Sequence, residues 1–154
     1  MDELSLQDRY APDPTCFGCG PANERGLRIK SHVRDGEVVA DWLAEPYHEA
    51  FPGVLNGGIV GTLLDCHSNW AAAFDLMSRA GAATPPATVT ADLAVRYLAP
   101  TPTAGPIRLR ARVVAATDRR ATVESHLEAG GRTCATATAT FVAVNPGHPA
   151  YGRW

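Results

Sequence analysis

The sequence has little of what marks nucleic-acid-binding and membrane proteins. Lys30 is the single lysine of the chain. The chain has 14 lysines and arginines and 16 aspartates and glutamates, which gives a net charge of −2. A basic face is therefore not expected, and no nucleic-acid binding is predicted. No apolar run approaches the roughly 20 residues that cross a bilayer, so no membrane association is predicted. The opening MDELSLQDRY is acidic and polar, unlike a signal peptide, and we expect a cytoplasmic protein.

Cysteine is also scarce, and its spacing argues against a metal centre. Of four cysteines, only Cys16 and Cys19 form a C-x-x-C pair. A structural zinc site usually takes four ligands, from two such pairs or from one pair and spaced histidines. Cys66 and Cys134 lie in segments that we interpret as buried. The spacing favours a tight glycine-rich turn with packed thiols over a zinc or redox site, and no metal or cofactor is expected.

The remaining sequence predicts one domain, residues 1–154, with 1–15 and 145–154 as irregular arms. Strands are predicted over 27–33 and 37–43, a helix from 57 to about 79, and further strands over 88–98, 107–114, 121–128 and 132–144. Short connections join the later strands, so these should be antiparallel neighbours. The order indicates an α+β fold in which an antiparallel sheet curls around one long central helix.

The predicted helix has two different faces. Large side chains recur every three or four residues on one of them, at Ile59, Leu63, Cys66, Trp70, Phe74 and Met77. Small and polar side chains follow the other, at Gly58, Gly61, Thr62, Asp65, Asn69 and Ala72. We expect the first face to pack on the sheet and the second to allow close approach of another surface.

The start of this helix is suited to bind a polarised carbonyl. Asn56 is a preferred N-cap residue, and Gly57 and Gly58 occupy the first turn. The first amide N–H groups of a helix lack internal partners and carry the positive end of the helix dipole. Glycines leave that backbone open to a ligand. The alternative is that they serve only the loop-to-helix junction.

An acidic residue, Asp65, interrupts the apolar run of the helix. Burying an unpaired carboxylate costs several kcal/mol, so its presence needs a reason. Either the carboxylate pairs with an arginine, for which Arg79 and Arg96 are candidates, or it is a functional acid on a rigid element. Gly57 and Asp65 are separated by about 12 Å along a helix that rises 1.5 Å per residue. If both act on one carbonyl, they come from two chains, which predicts a two-fold homodimer with shared sites.

Two segments carry a family resemblance. FPGVLNGGIVGTLLD and TVTADLAVRYLAPTP resemble the hotdog-fold acyl-CoA thioesterases of the phenylacetate-pathway (PaaI-like) group. The opening CFGCGPANERGLRIK and the closing ATATATFVAV are similar to the corresponding segments of that group, so the resemblance covers residues 16–144. It implies hydrolysis of an acyl-CoA or acyl-carrier thioester without a cofactor, in a homodimer or a dimer of dimers.

The resemblance also implies roles for individual residues. The Gly57 amide would polarise the thioester carbonyl, and Asp65 would activate water or attack the thioester itself. Thr90 would orient the water or the carboxylate. Asn56 stands where the family usually has histidine; it keeps an N–H₂ donor but cannot titrate.

Strand alternation turns Thr90 away from the helix of its own chain, unless the strand begins with a bulge or Thr90 meets a partner chain. Substrate contacts are expected from Gly58, His48 and Asn69. Two alternatives stay open, namely an acyl-CoA-binding protein that has lost turnover and a hotdog hydratase or dehydratase.

Overall fold

The computed structural model describes residues 3–154 and contains one long helix against a six-stranded antiparallel sheet. The elements are α1 (Leu6–Tyr10), β1 (His32–Arg34), β2 (Glu37–Trp42), β3 (Glu49–Phe51), β4 (Val54–Leu55), α2 (Gly57–Ala80), β5 (Thr88–Tyr97), β6 (Ile107–Ala116), β7 (Arg120–Ala129) and β8 (Arg132–Ala143). The sheet order is β1-β2-β6-β7-β8-β5, and β3 pairs with β4 in a separate hairpin. The predicted α+β fold is confirmed. Among the described residues, no helix is long and apolar enough to span a membrane.

The helix α2 begins and ends close to the predicted bounds. Asn56 caps its start, and Gly81, with a φ of 64°, ends it in the left-handed conformation that glycine adopts without strain. Its apolar side rests on a sheet face rich in alanine, where Ala135, Ala137 and Ala139 of β8 are buried. These small side chains allow the close packing of helix on sheet that the sequence suggested.

The buried arc of α2 is wider than the two-face interpretation predicted. Asn69 and Ala72, which were expected on the open face, are buried, whereas Ile59 and Cys66 are only half-buried. The C-terminal segment contributes to this covering, because Trp154 stacks on Trp70 with ring centroids 4.8 Å apart.

The first predicted strand is mostly not a strand. Arg28 has a φ of 52°, which breaks an extended run, and only His32–Arg34 pairs with β2. The amides of Leu27 and Ile29 instead donate to the carbonyls of Phe17 and Gly18. Residues 27–31 therefore fasten the N-terminal segment to the domain.

Two small elements of the structure were not predicted from the sequence. Residues 6–10, in the arm expected to be irregular, form helix α1, whose start is capped by Ser5. The connection after β2, where no strand was predicted, contains the β3–β4 hairpin, which leads directly into Asn56.

The strand neighbours follow the prediction only in part. β6, β7 and β8 form the expected meander, but β5 pairs with β8 at the far edge, and β2 occupies the side of β6 where β5 was expected. The segment 98–106 is long enough to carry the chain across the sheet, so sequence adjacency does not decide the pairing.

A bulge changes the side-chain phase of β5. Thr90 pairs with Phe141 and Asp92 with Thr140, so Ala91 is an additional residue on this strand. Directly paired residues share one sheet face, and the bulge therefore places Thr90 on the same, helix-facing side as Leu93 and Tyr97. The bulge resolves the conflict between strand alternation and the role that the resemblance assigned to Thr90.

A buried polar network joins the N-terminal segment to α2. His67 is fully buried; its Nε2 lies 2.8 Å from the Val38 carbonyl and its Nδ1 2.8 Å from Ser31 Oγ. The carbonyl requires a donor, so Nε2 carries the proton and Nδ1 accepts from Ser31. Gln7 of α1 completes the network through both its amide atoms. Since both ring nitrogens are used in the neutral form, a second proton would break the network.

The burial of His67 makes stability pH-dependent. Burial lowers the pKa of His67 from 6.5 to about 4, while the Val38 carbonyl opposes this shift. Between these values the unfolded chain binds the proton and the folded chain does not, so stability is lost as the pH falls. We expect the free energy of unfolding, measured by urea denaturation, to drop by about 3 kcal/mol across this window.

The exposed His126 supplies the matched control for this measurement. His126→Gln should keep the pH dependence, and His67→Gln should flatten it. An equal acid sensitivity in both variants would show that His67 is not its source.

Candidate active site

The start of α2 presents one free backbone donor. Asn56 Oδ1 accepts from the amides of Gly58 at 2.8 Å and Ile59 at 3.2 Å, which confirms the predicted cap. The Gly57 amide, in contrast, has no acceptor among residues 3–154. This N–H lies at the positive end of a 24-residue helix, where a carbonyl oxygen with developing negative charge is favoured.

The hydroxyl of Tyr97 holds this helix start in place. It donates to the Gly57 carbonyl at 2.6 Å, and a Cβ at Gly57 would lie 3.7 Å from the Tyr97 ring. Tyr97 is 56 % exposed, so its ring covers the helix start from the sheet edge and still borders solvent. Tyr97 was not predicted as a site residue, since nothing in its spacing distinguishes it from any other aromatic residue of a strand.

The carboxylate of Asp65 has a hydroxyl partner and forms no salt bridge with the described part of the chain. Thr90 Oγ1 donates to Asp65 Oδ1 at 2.7 Å. No lysine or arginine of the described residues forms a salt bridge with Asp65, and Arg79, one of the candidate partners, pairs with Asp75 instead. The geometry is therefore that of an oriented carboxylate, and the structural ion pair considered from the sequence is absent.

The surroundings of Asp65 increase its basicity. Burial raises the pKa of Asp65, and the Thr90 hydrogen bond opposes the shift. The positive charge of Arg153 also lowers this pKa. A carboxyl group with a raised pKa is a better proton acceptor near neutral pH than an ordinary surface aspartate.

His48 reaches the helix start through its backbone. Its carbonyl accepts from the Asn56 amide at 3.0 Å, while its Nδ1 accepts from the Glu45 amide at 2.9 Å. The ring packs against Trp42 with centroids 5.0 Å apart, and burial lowers the pKa of His48. His48 thus supports the loop that positions Asn56.

Asn69 braces the start of β5. It is buried, its Oδ1 accepts from Thr88 Oγ1, and its Nδ2 lies 3.5 Å from the Thr88 carbonyl. Both amide atoms of Asn69 face Thr88, and the substrate contact expected of Asn69 stays a prediction. Gly58 is exposed on the helix start, with its amide occupied by Asn56.

The structure also brings together three cysteines. Cys66 of α2 lies beside the Cys16–Cys19 turn, and the three sulfur atoms are within 4.8 Å of one another. Cys134 is buried elsewhere, with its Sγ 3.6 Å from the Ala129 carbonyl. The spacing of the cysteines in the sequence does not indicate this proximity, since Cys66 is 50 residues from Cys16 along the chain.

Comparison with known proteins places this geometry in a family. A family model described as the acyl-CoA thioesterase N-terminal domain matches residues 47–142, which include Gly57, Asp65 and Thr90. No curated protein matches the chain.

Solved structures with the same fold include three with informative names. A thioesterase superfamily protein from Shewanella loihica PV-4 is 30 % identical, with 90 % of this chain and 99 % of that one covered and a TM-score of 0.69. A phenylacetic acid degradation-related protein from Ralstonia eutropha JMP134 is 26 % identical, with 82 % and 92 % covered and a TM-score of 0.65.

The third is a Bacillus halodurans protein solved with CoA, which is 25 % identical, with 77 % and 76 % covered and a TM-score of 0.60. These similarities extend over most of each chain, and the family model spans the helix start and the strand that carries Thr90. The chain therefore belongs to the acyl-CoA thioesterase domain family and has the hotdog fold.

Proposed function

We propose that this protein hydrolyses an acyl-CoA or acyl-carrier thioester to a free acid and a thiol. The observation that carries the proposal is a pair of reactive groups on one helix. Among the described residues, the Gly57 amide has no acceptor, and the Asp65 carboxylate accepts a hydrogen bond from Thr90 but forms no salt bridge. Hydrolysis of a thioester needs one donor for the carbonyl oxygen and one acceptor for a proton of water, which these two groups can supply.

The first step uses the backbone of the helix start. The thioester oxygen accepts a hydrogen bond from the Gly57 amide, which strengthens as negative charge develops on that oxygen. Tyr97 and Asn56 support this step by fixing the first turn. A preorganised amide needs no rearrangement when the charge appears.

The second step uses Asp65 as the general base. The carboxylate removes a proton from water as the water oxygen bonds to the carbonyl carbon, and the carbonyl electron pair moves to oxygen. When the tetrahedral intermediate collapses, the C–S bond breaks and the thiolate takes the proton from Asp65. Direct attack by the carboxylate, which gives a mixed anhydride that water then cleaves, is the alternative.

These two groups act on one carbonyl only across a dimer. Eight residues of helix separate Gly57 from Asp65 by about 12 Å, whereas reacting groups must approach within roughly 3.5 Å. The flank of α2 between them consists of small residues, with Gly58 exposed and Gly61 and Thr62 half-buried. A second antiparallel α2 would place the partner's helix start near Asp65.

The edge of the sheet is also suited to a partner. β5 is a ten-residue strand at the end of the sheet order, and most of its side chains are exposed. A long open edge strand is normally covered or paired. A second copy would cover it beside the same helix start.

Two of the related structures suggest which substrate class to examine first. CoA in the Bacillus halodurans protein and the name of the Ralstonia eutropha protein favour an acyl-CoA, including an aryl-acetyl one, as the first substrate to examine.

A second candidate function is acyl-CoA binding without turnover. The family usually has histidine where this chain has Asn56, and the Asn56 side-chain oxygen is already used by the helix cap. An asparagine there cannot transfer a proton.

Thiol release from a panel of acyl-CoAs tests the proposal. We expect release of free CoA from at least one of the acetyl, fatty-acyl and phenylacetyl thioesters, detected with a thiol reagent. Binding of these compounds by calorimetry without thiol release would favour the binding protein. Hydration of an enoyl-CoA without hydrolysis would favour a hydratase.

A further inference from the structure

Three cysteines form a cluster outside the proposed catalytic groups. Cys16 and Cys19 belong to the turn C-F-G-C-G, and Cys66 lies in the middle of α2, directly after Asp65. The Sγ atoms of Cys16 and Cys66 are 3.7 Å apart, and all three lie within 4.8 Å of one another. We call Cys16, Cys19 and Cys66 the three-cysteine cluster.

The separation of the sulfur atoms corresponds to that of ligands on one metal ion. With a Zn–S bond of about 2.3 Å, two sulfurs of a tetrahedral site lie about 3.8 Å apart. A disulfide would require about 2.05 Å, and all the cysteines of the described chain are free. The Cys16–Cys66 distance is therefore close to a tetrahedral edge and far from a covalent bond.

A buried N–H donor lies beside the cluster. The Trp70 indole lies beside the Cys19 sulfur; its Nε1 is buried and has no hydrogen-bond partner of standard geometry among residues 3–154. An indole N–H suits a thiolate, and three thiolates held this close together require a cation.

The turn is shaped to bring the sulfurs together. A Cβ at Gly18 would lie 2.3 Å from Cys66 Sγ, and one at Gly20 would lie 2.3 Å from the Cys16 amide nitrogen. A side chain at Gly18 would push the turn away from α2, and a side chain at Gly20 would clash with the backbone of the turn itself. The C-x-x-C spacing of this turn is the one that zinc sites commonly use.

We propose that Cys16, Cys19 and Cys66 bind one zinc ion as thiolates, with the fourth position taken by water. Cys16 and Cys66 are only half-buried, so water can reach that position. Thiolate ligands select zinc over the hard cations magnesium and calcium. The metal would fasten the N-terminal segment to the centre of α2. This inference goes beyond thioester hydrolysis and does not depend on it.

Metal content of the purified protein tests this proposal. The chain is expressed with added zinc, purified without a metal-chelating tag or column, dialysed, and analysed by elemental mass spectrometry. We expect about one zinc per chain. Replacement by Co²⁺ should give thiolate-to-cobalt charge-transfer absorption and the visible bands of a tetrahedral site.

Serine variants locate the site. Cys16→Ser, Cys19→Ser and Cys66→Ser should each lower the zinc content to background, while Cys134→Ser, the matched control, should keep it. Circular dichroism identifies any variant that fails to fold, and the cobalt spectrum of the unaltered protein does not depend on the variants. Absence of zinc and of the cobalt bands from the unaltered protein would overturn the proposal. So would an equal loss in Cys134→Ser, or an intact mass two hydrogens lower from a disulfide in the cluster.

Discussion

Asp65→Asn should lower kcat for thioester hydrolysis by about 10² to 10⁴, with a much smaller change in KM. This range is the usual contribution of a positioned general base. Asparagine keeps the size of the side chain and can still accept the Thr90 hydrogen bond that the carboxylate accepts in the native chain. The variant should therefore fold and bind substrate, and it should lack only the proton acceptor. The measurement is thiol release under saturating acyl-CoA.

Asp75→Asn provides the matched control for this result. Asp75 lies on the same helix, forms an exposed ion pair with Arg79, and has no place in the proposed chemistry. Its substitution should leave kcat within about twofold, because exposed ion pairs contribute little. Similar losses in the two variants, or full activity in Asp65→Asn, would remove Asp65 from the mechanism.

Mixed dimers should recover activity that neither parent has. One chain carries Asp65→Ala and the other carries Gly57→Leu, whose side chain would press on the Tyr97 ring and cover the amide. In a mixed dimer, one site joins an intact Gly57 to an intact Asp65, and the other site has neither. Since random pairing makes half of the dimers mixed, co-expression should restore about a quarter of the unaltered activity.

The controls are the two single-variant homodimers and the purified mixed dimer. Each variant alone should show almost no thiol release, and tandem affinity purification should isolate the mixed species. If purified mixed dimers are as inactive as the parents, both groups belong to one chain or do not act together. The two-chain site would then be wrong, even if Asp65 is catalytic.

The helix and most strands were predictable because their signals are local. The apolar period of α2 and the Asn56 cap lie within one segment, and the alternation of β6, β7 and β8 needs no distant partner. The pairing of β5 with β8 is different, since it depends on which edge remains free after β2 has paired with β6. The positive φ of Arg28 interrupts the first predicted strand, and it could not be predicted because the residue is not a glycine.

The candidate site was predictable only for residues that lie close together in the sequence. Asn56, Gly57 and Asp65 are placed by helix geometry and by family resemblance. Tyr97 and Cys66 were missed because their contacts join positions 40 and 50 residues apart in the chain. The burial of Asn69 was missed for a related reason, since Thr88 covers it from another element.

The additional residue in β5 has a consequence for redesign. Removing Ala91 would restore strict alternation, so that one strand could not present both Thr90 to the acid and Tyr97 to the helix start. A single-residue deletion would thus turn one of the two hydroxyls to the opposite face of the sheet, whereas a substitution of Thr90 or Tyr97 removes only that residue's own hydrogen bond. A redesigned β5 must therefore preserve the number of residues between Thr90 and Tyr97.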